Sequence, residues 1–508
     1  MDQKFQPRLT IFIMLAALAA GACSLFSRPP VNSEPFATEA NVVATEPLVT
    51  VSPTAALPNA LPTPTPLPPT ITSLPPAPPP QDPIFGIEMH KINAEGGLEQ
   101  VVQTGNHWIR YNRLNWAKVE AVEGVRDWTA AKNLESYLKN AAAAGMPVIL
   151  IVHTAPTWAI PPGSKPCAAL LPDKLEAFGK FLHDAVARYS QPPFNVKYWE
   201  LGNEPDVPES AVPENSPFGC WGKAGDPYFG GREYAHMLKI VYPQIKAADP
   251  QAVVLTGGLL MDCDPVNPPE TEEGSGILKD CTPSRFLEGI LEGGAGEFFD
   301  GVAFHAYDYY GGKPGHYSNA NWHSVWDVTG PVLIAKNRYV RSVLFSYGLV
   351  DKLVMNTESA LICGRDGKEA YCQTGEFNLT KAYYLAQSYS AALAENLQAN
   401  IWYSISGWRA SGLVDKNLQT NQAYEAFTTA SKALKNAGYG GELRQYPGVK
   451  GYEFNREGVR LWLLWSLDGG DHDINLPASP NRSYDVFGAP FEAGISLKVG
   501  LAPIYLEW

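Results

Sequence analysis

Between residues 84 and 438, short continuous apolar runs alternate with stretches whose apolar positions recur at helical spacing. The runs occupy 84–90, 107–112, 147–153, 196–202, 252–257, 301–307, 352–357 and 400–406, eight in all. Leu134, Tyr137, Leu138 and Ala141 mark one amphipathic helix, with Gly145 as its stop. Leu175, Phe178, Leu182, Val186 and Tyr189 mark another, as do Tyr234, Met237, Leu238, Val241, Tyr242 and Ile245. Tyr424, Phe427 and Leu434 mark the last. A strand covered on both faces reads as an unbroken apolar run, whereas a surface helix keeps one buried stripe. Eight strand–helix alternations over roughly 350 residues predict an α/β chain folded as a (β/α)8 TIM barrel. A doubly wound open sheet is the alternative, but it more often carries five to seven strands.

After Gly438 the period changes to two. Tyr452 and Phe454 alternate with polar residues, the stretch Asn455-Arg456-Glu457-Gly458 reads as a turn, and 459–467 is a second strand. Segments 483–487, 495–499 and 503–506 follow the same pattern. A small antiparallel, β-sandwich-like domain is predicted over 439–508.

The first 83 residues carry neither pattern. Lys4 and Arg8 precede a twelve-residue apolar run over 9–20, shorter than the ~20 residues that span a bilayer and suited to an export signal. Ala20-Gly21-Ala22-Cys23 resembles a bacterial lipobox, although Ala20 stands where that pattern prefers Leu. Residues 1–23 are thus expected to be a signal peptide, with lipid on Cys23 as the chain's only tie to a membrane; cleavage by an ordinary signal peptidase is the alternative. Residues 24–83 are expected to be a Pro/Thr-rich disordered linker: seventeen prolines fall between Arg28 and Pro83, and no Lys or Arg lies between Arg28 and Lys91.

Composition narrows the partners. The 508 residues are 45% hydrophobic and 18% charged, with a net charge of −13 and no basic block. That balance suits a globular exported protein, at the cell surface or secreted, and argues against nucleic acid. Of seven cysteines, Cys23 is the odd one; the other six suggest disulfides in an exported chain. Sequence does not decide their pairing, but proximity favours Cys263–Cys281 and Cys363–Cys372, leaving Cys167 with Cys220. No CxxC or HExxH spacing points to a metal, and His90, His153 and Glu358 do not make a believable ligand set.

Barrel enzymes carry their chemistry at the C-terminal ends of the strands. The fourth run ends Gly202-Asn203-Glu204-Pro205 and the seventh ends Asn356-Thr357-Glu358, so two carboxylates reach one rim. A pair of carboxylates flanking a glycosidic bond is what sugar hydrolysis needs, one protonating the leaving oxygen and the other attacking or activating water. Aromatic rings of Trp158 and Trp408, after the third and eighth runs, are candidate sugar platforms, though loop tryptophans also simply pack. Glu200 reads as structural, and Glu88 as facing the site or pairing with an arginine.

Asn203-Glu204 after strand four and Glu358 after strand seven resemble glycoside hydrolase clan A, the retaining β-glycosidases. The layout is similar to families 39 and 5. The resemblance covers about 84–438 and implies Glu204 as acid/base, Glu358 as nucleophile, carbohydrate as substrate and no organic cofactor. It further implies that Asn203 bonds the sugar hydroxyl beside the reacting carbon, and that His305 and Tyr307, in His305-Ala306-Tyr307, line the site and hold the nucleophile. Arg110 matches the arginine that pairs with the nucleophile, and Trp402 the floor of the sugar subsite. Each also has a structural reading: a barrel-interior arginine, a core histidine, a packed tyrosine. Ser359-Ala360 depart from the aromatic residue and Gly that often follow the nucleophile, which leaves family and sugar open. A non-catalytic carbohydrate-binding lipoprotein and a transglycosylase are the rival functions.

Overall fold

The computed structural model describes residues 83–508. The expected signal segment, the lipobox-like Cys23 and nearly all of the linker lie outside those residues.

Eight parallel strands form the frame: β1 (Phe85–Glu88), β2 (Trp108–Asn115), β3 (Val148–His153), β4 (Tyr198–Asn203), β5 (Val253–Gly258), β6 (Gly301–Tyr310), β7 (Leu353–Ile362) and β8 (Ala399–Trp402). Each pairs with its neighbour in sequence, β1 pairs with β8, and the β5–β6 contact completes a closed barrel. Side chains alternate between the barrel's two faces. Trp108, Ile149, Leu255, Ala303, Met355, Ala399 and Ile401 fill the interior as one cluster. The intervening residues, such as Ile109, Leu150, Trp199 and Val254, join the larger core shared with the outer helices. Burial on both faces is why these strands read as unbroken apolar runs.

The helices expected from periodicity lie at Lys132–Ala143, Leu175–Tyr189, Gly231–Ala248 and Gln422–Leu434. Three disulfides, Cys167–Cys220, Cys263–Cys281 and Cys363–Cys372, have Cα separations of 5.5, 5.4 and 5.6 Å. These are the pairs that proximity favours. All three tie loops that follow strands, so they brace the C-terminal rim of the barrel. Beyond β6, short strands Tyr317–Asn319 and Ser324–Val325 extend that rim as an antiparallel excursion.

The chain ends in antiparallel β structure. Strands β9 (Gly438–Glu442), β10 (Val449–Arg456), β11 (Val459–Ser466), β13 (Arg482–Asp485) and β15 (Ile504–Glu507) form one sheet, in the order β9-β10-β11-β15-β13. Strands β12 (His472–Asn475) and β14 (Ser496–Val499) form a two-stranded ribbon. Along β11, Leu461, Leu463 and Trp465 join the barrel's core, whereas Trp462 and Leu464 pack with Ile474 and Val499 of the ribbon and with Leu476 just after it. Among the described residues no helix is long and apolar enough to cross a membrane.

Candidate active site

The rim chemistry starts from strand register. Glu88 on β1 stands opposite Arg110 on β2, both facing inward. The Arg110 guanidinium is fully buried. Its Nη1 donates to Glu88 Oε2 at 2.6 Å, and its Nε and Nη2 grip Glu200 at 3.2 and 2.6 Å. Nη1 also donates to Glu358 Oε1, and Nη2 to Asn203 Oδ1 at 2.6 Å. One cation thus serves three buried carboxylates, which hold it in a single orientation. Glu200 and Glu88 are therefore the supports of Arg110.

Glu358 reaches the interior because β7 breaks its own alternation. Phe304 of β6 pairs with Asn356, but the next residue, His305, pairs with Glu358. Thr357 is the extra residue of a β-bulge. Regular alternation from the inward-facing Met355 would point Glu358 at the outer helices; the bulge turns it onto Arg110 instead. Tyr307 donates its hydroxyl to Glu358 Oε2, so both oxygens of this 5% exposed residue have donors.

Glu204 is set by a turn. Gly202 has φ +95° and Glu204 itself φ +51°. The left-handed region is uncommon for a residue with a Cβ and is characteristic of functional turns. The Glu204 N–H donates to Gly258 O at 2.8 Å, fixing the turn to the end of β5. Its Oε1 lies 2.9 Å from His305 Nδ1. His305 Nε2 faces Arg110 Nη2 at 3.3 Å. A guanidinium can only donate, so this Nε2 accepts, and the neutral ring carries its proton on Nδ1, aimed at Glu204. By the same logic Asn203 Oδ1 is occupied by Arg110, leaving its NH2 as the free donor.

Burial acts on both glutamates in the same direction. Burial is the main effect on Glu204, pushing its pKa from 4.5 to about 7; Arg110 and Lys336 oppose this, while Asp262 and Glu200 add to it. Burial also pushes Glu358 upward, against the pull of Arg110. Burial lowers His305 to about 4, so it is neutral at physiological pH. One oxygen each of Glu204 and Glu358 and a ring nitrogen of His305 lie within 4.8 Å of one another. Among the described residues this trio is the one spaced to hold a cation. The positive charge that Glu358 needs is, however, already supplied by Arg110.

Glu204, Glu358, Asn203, Arg110, His305 and Tyr307 therefore converge. Trp402 does not. Inward-facing Ala399 and Ile401 bracket the β8 alternation, so Trp402 points outward, fully buried, with its indole N–H on Ser411 O at 3.0 Å. The next residue, Tyr403, takes the inward place: its ring centroid lies 6.2 Å from that of Tyr307 and 6.0 Å from that of His90. A one-residue offset in a strand exchanges faces, and counting inward from Ile401 would have found Tyr403. Trp408 borders the site, 49% exposed, with its ring centroid 5.9 Å from that of Tyr307. Trp158 instead packs edge-on against Trp116 and donates to Glu120 O.

No protein-family model matches the chain, and no curated protein matches it in sequence. Solved structures do. A family 39 glycoside hydrolase from Bacteroides cellulosilyticus WH2 is 19% identical with a TM-score of 0.60, the match covering 84% of this chain and 81% of that one. A conserved exported protein from Bacteroides fragilis is 12% identical, TM-score 0.61, with coverage of 85% and 98%. The family 30 subfamily 8 xylanase Xyn30A from Clostridium acetobutylicum is 14% identical, TM-score 0.54, with coverage of 84% and 96%. The chain shares its fold with these structures, among them the two glycoside hydrolases.

Proposed function

We propose that this chain is a retaining β-glycosidase acting on oligo- or polysaccharides outside the cell. The observation that carries the reading is the short separation of two carboxylates, one oxygen of each within 4.8 Å of the other, delivered by strands four and seven of the barrel. Retaining sites keep their carboxyl groups ~5–5.5 Å apart, whereas inverting sites need ~6.5–9.5 Å to admit a water.

In the first step a Glu358 oxygen attacks the anomeric carbon as the bond to the leaving oxygen breaks. Glu204 gives its proton to that oxygen. In the second step water attacks the same carbon, the Glu358 ester bond breaks, and Glu204 takes the water's proton. A Glu204 pKa of about 7 suits a group that must give and then accept a proton near neutrality. The Asn203 NH2 is free to bond the hydroxyl beside the reacting carbon, and Tyr403 and Trp408 offer ring faces to the sugar. The glycoside hydrolases among the similar folds support the reaction class. Three disulfides support an oxidising compartment, and a lipid-bearing Cys23 on a proline-rich stalk would tether the barrel to the cell surface.

The test is a panel of aryl β-glycosides and polysaccharides, followed by an activated 2-deoxy-2-fluoro analogue of the best substrate. One glycosyl unit on the peptide containing Glu358, found by mass spectrometry, is the expected result. Attachment to another residue, or no turnover across the panel, would overturn the reading.

A further inference from the structure

Lys336 has no part in the two-glutamate mechanism, yet it lies directly behind it. It sits on the helix Leu333–Ser346 that follows β6 and is 3% exposed. Its Nζ donates to Leu260 O at 2.6 Å and to the backbone carbonyl of His305 at 2.8 Å. The Trp322 ring lies beneath it, 5.7 Å from Nζ to centroid. No carboxylate lies within ion-pairing distance of it among the described residues. Four surround it at longer range: Asp262, Asp206, Glu204 and Asp308.

Each of the other three is committed elsewhere. Asp206 accepts the N–H groups of Leu260 and Met261, at 2.9 and 2.7 Å. Asp308 accepts from the Val332 N–H and the Tyr384 hydroxyl, both at 2.9 Å. Asp262 pairs with Lys279 at 2.6 Å. An ammonium is costly to bury without a paired charge, so its persistence here needs a compensating role. Its two carbonyl partners supply that role: one ends the β5 turn and the other belongs to the histidine whose ring holds Glu204.

We infer that Lys336 is a positioning residue for the acid/base: it ties the His305 backbone to the end of the β5 turn and so fixes the imidazole that holds Glu204. The groups facing Glu204 are Arg110, Glu200, Asp206, Asp262, His305, Tyr307, Glu358 and Tyr403. Of the two side-chain cations that act on Glu204, Arg110 is saturated by three carboxylates, and Lys336 is the one left without an ion pair.

This inference rests on the reading of Glu204 as acid/base, and it is tested with and without turnover. In the Lys336→Met variant, the alkaline limb of kcat/KM should move up by ~0.5 pH unit or more, because Glu204 loses a cation that favours its ionised form. The kcat should fall by about tenfold with KM little changed, and Lys336→Arg should bring the limb back. A folded Lys336→Met enzyme whose alkaline limb stays at the wild-type position overturns the inference. The second arm reads the full chain by NMR with ε-13C lysine, the Lys336 signal being the one lost in Lys336→Arg. By reciprocity of coupling, Glu204→Gln should lower the Lys336 titration midpoint, since an anionic neighbour is gone. A midpoint that does not move overturns the inference whether or not a substrate has been found, and whether or not Lys336→Met folds.

Discussion

Replacing Glu204 by Gln should stabilise the fold, and by an amount that grows with pH. The Glu204 side chain is 15% exposed, and burial raises its pKa from 4.5 to about 7. The folded value lies above the unfolded one. Wild-type stability from this group is therefore full below about pH 4.5 and is lost as pH rises through 7. A rise from 4.5 to about 7 corresponds to about 3 kcal/mol at pH 8 and less than about 1 kcal/mol at pH 5. Partial exposure makes the larger figure an upper one. Gln cannot ionise and keeps an oxygen for His305. The variant should match wild type within about 1 kcal/mol at pH 5 and exceed it by up to about 3 kcal/mol at pH 8. Urea unfolding followed by tryptophan fluorescence, disulfides kept oxidised, reads this directly. A stability difference that is the same at both pH values would refute the claim that Glu204 is held in a site hostile to its charge.

Other outcomes follow from the same geometry. Arg110→Met leaves Glu88, Glu200 and Glu358 buried without their cation and should cost at least about 3–5 kcal/mol in denaturant unfolding at pH 7; the loss should shrink at low pH, where those carboxylates protonate. Tyr307→Phe removes a donor that favours ionised Glu358, so the acid limb of kcat should move up and kcat should drop about 10- to 100-fold. Glu204→Ala should still release an aryl group that needs no protonation, then stall at the covalent intermediate. Added azide should restore turnover and appear in a β-glycosyl azide detectable by mass spectrometry and NMR; absence of that adduct would speak against Glu204 as the base of the second step.

The barrel was legible because its strands are buried twice over, against the interior cluster and against the helices, which forces continuous apolar runs such as Val148–His153. The amphipathic helices were legible for the converse reason. Helix Gly375–Ala394 escaped because it is buried on nearly every face, so it has no polar stripe to set a phase. In the C-terminal sheet, β9 opens with Gly438, Tyr439, Gly440 and Gly441, too little side chain to show a period of two. Within the site, Glu204 and Glu358 stood out because each closes an apolar run of the sequence, although β7 itself continues past Glu358 to Ile362. Trp402 was misplaced and Tyr403 missed because a run of apolar residues fixes that a strand exists, not which residue faces in. The bulge at Thr357 is equally silent in sequence, since an extra residue in a ladder leaves no compositional mark. Lys336 looks like any helical lysine until β5 and β6 supply its two carbonyls.

The stereochemistry of a single turnover is the most direct measure of whether Glu204 and Glu358 act by double displacement. One oxygen of each carboxylate lies within 4.8 Å of the other, the close spacing that goes with a retaining site, so the first product should keep the β configuration. Proton NMR of the anomeric signals, taken within minutes of mixing enzyme with an aryl β-glycoside it cleaves, reads that product before mutarotation. A β anomer appearing first is the predicted result; an α anomer appearing first would contradict it.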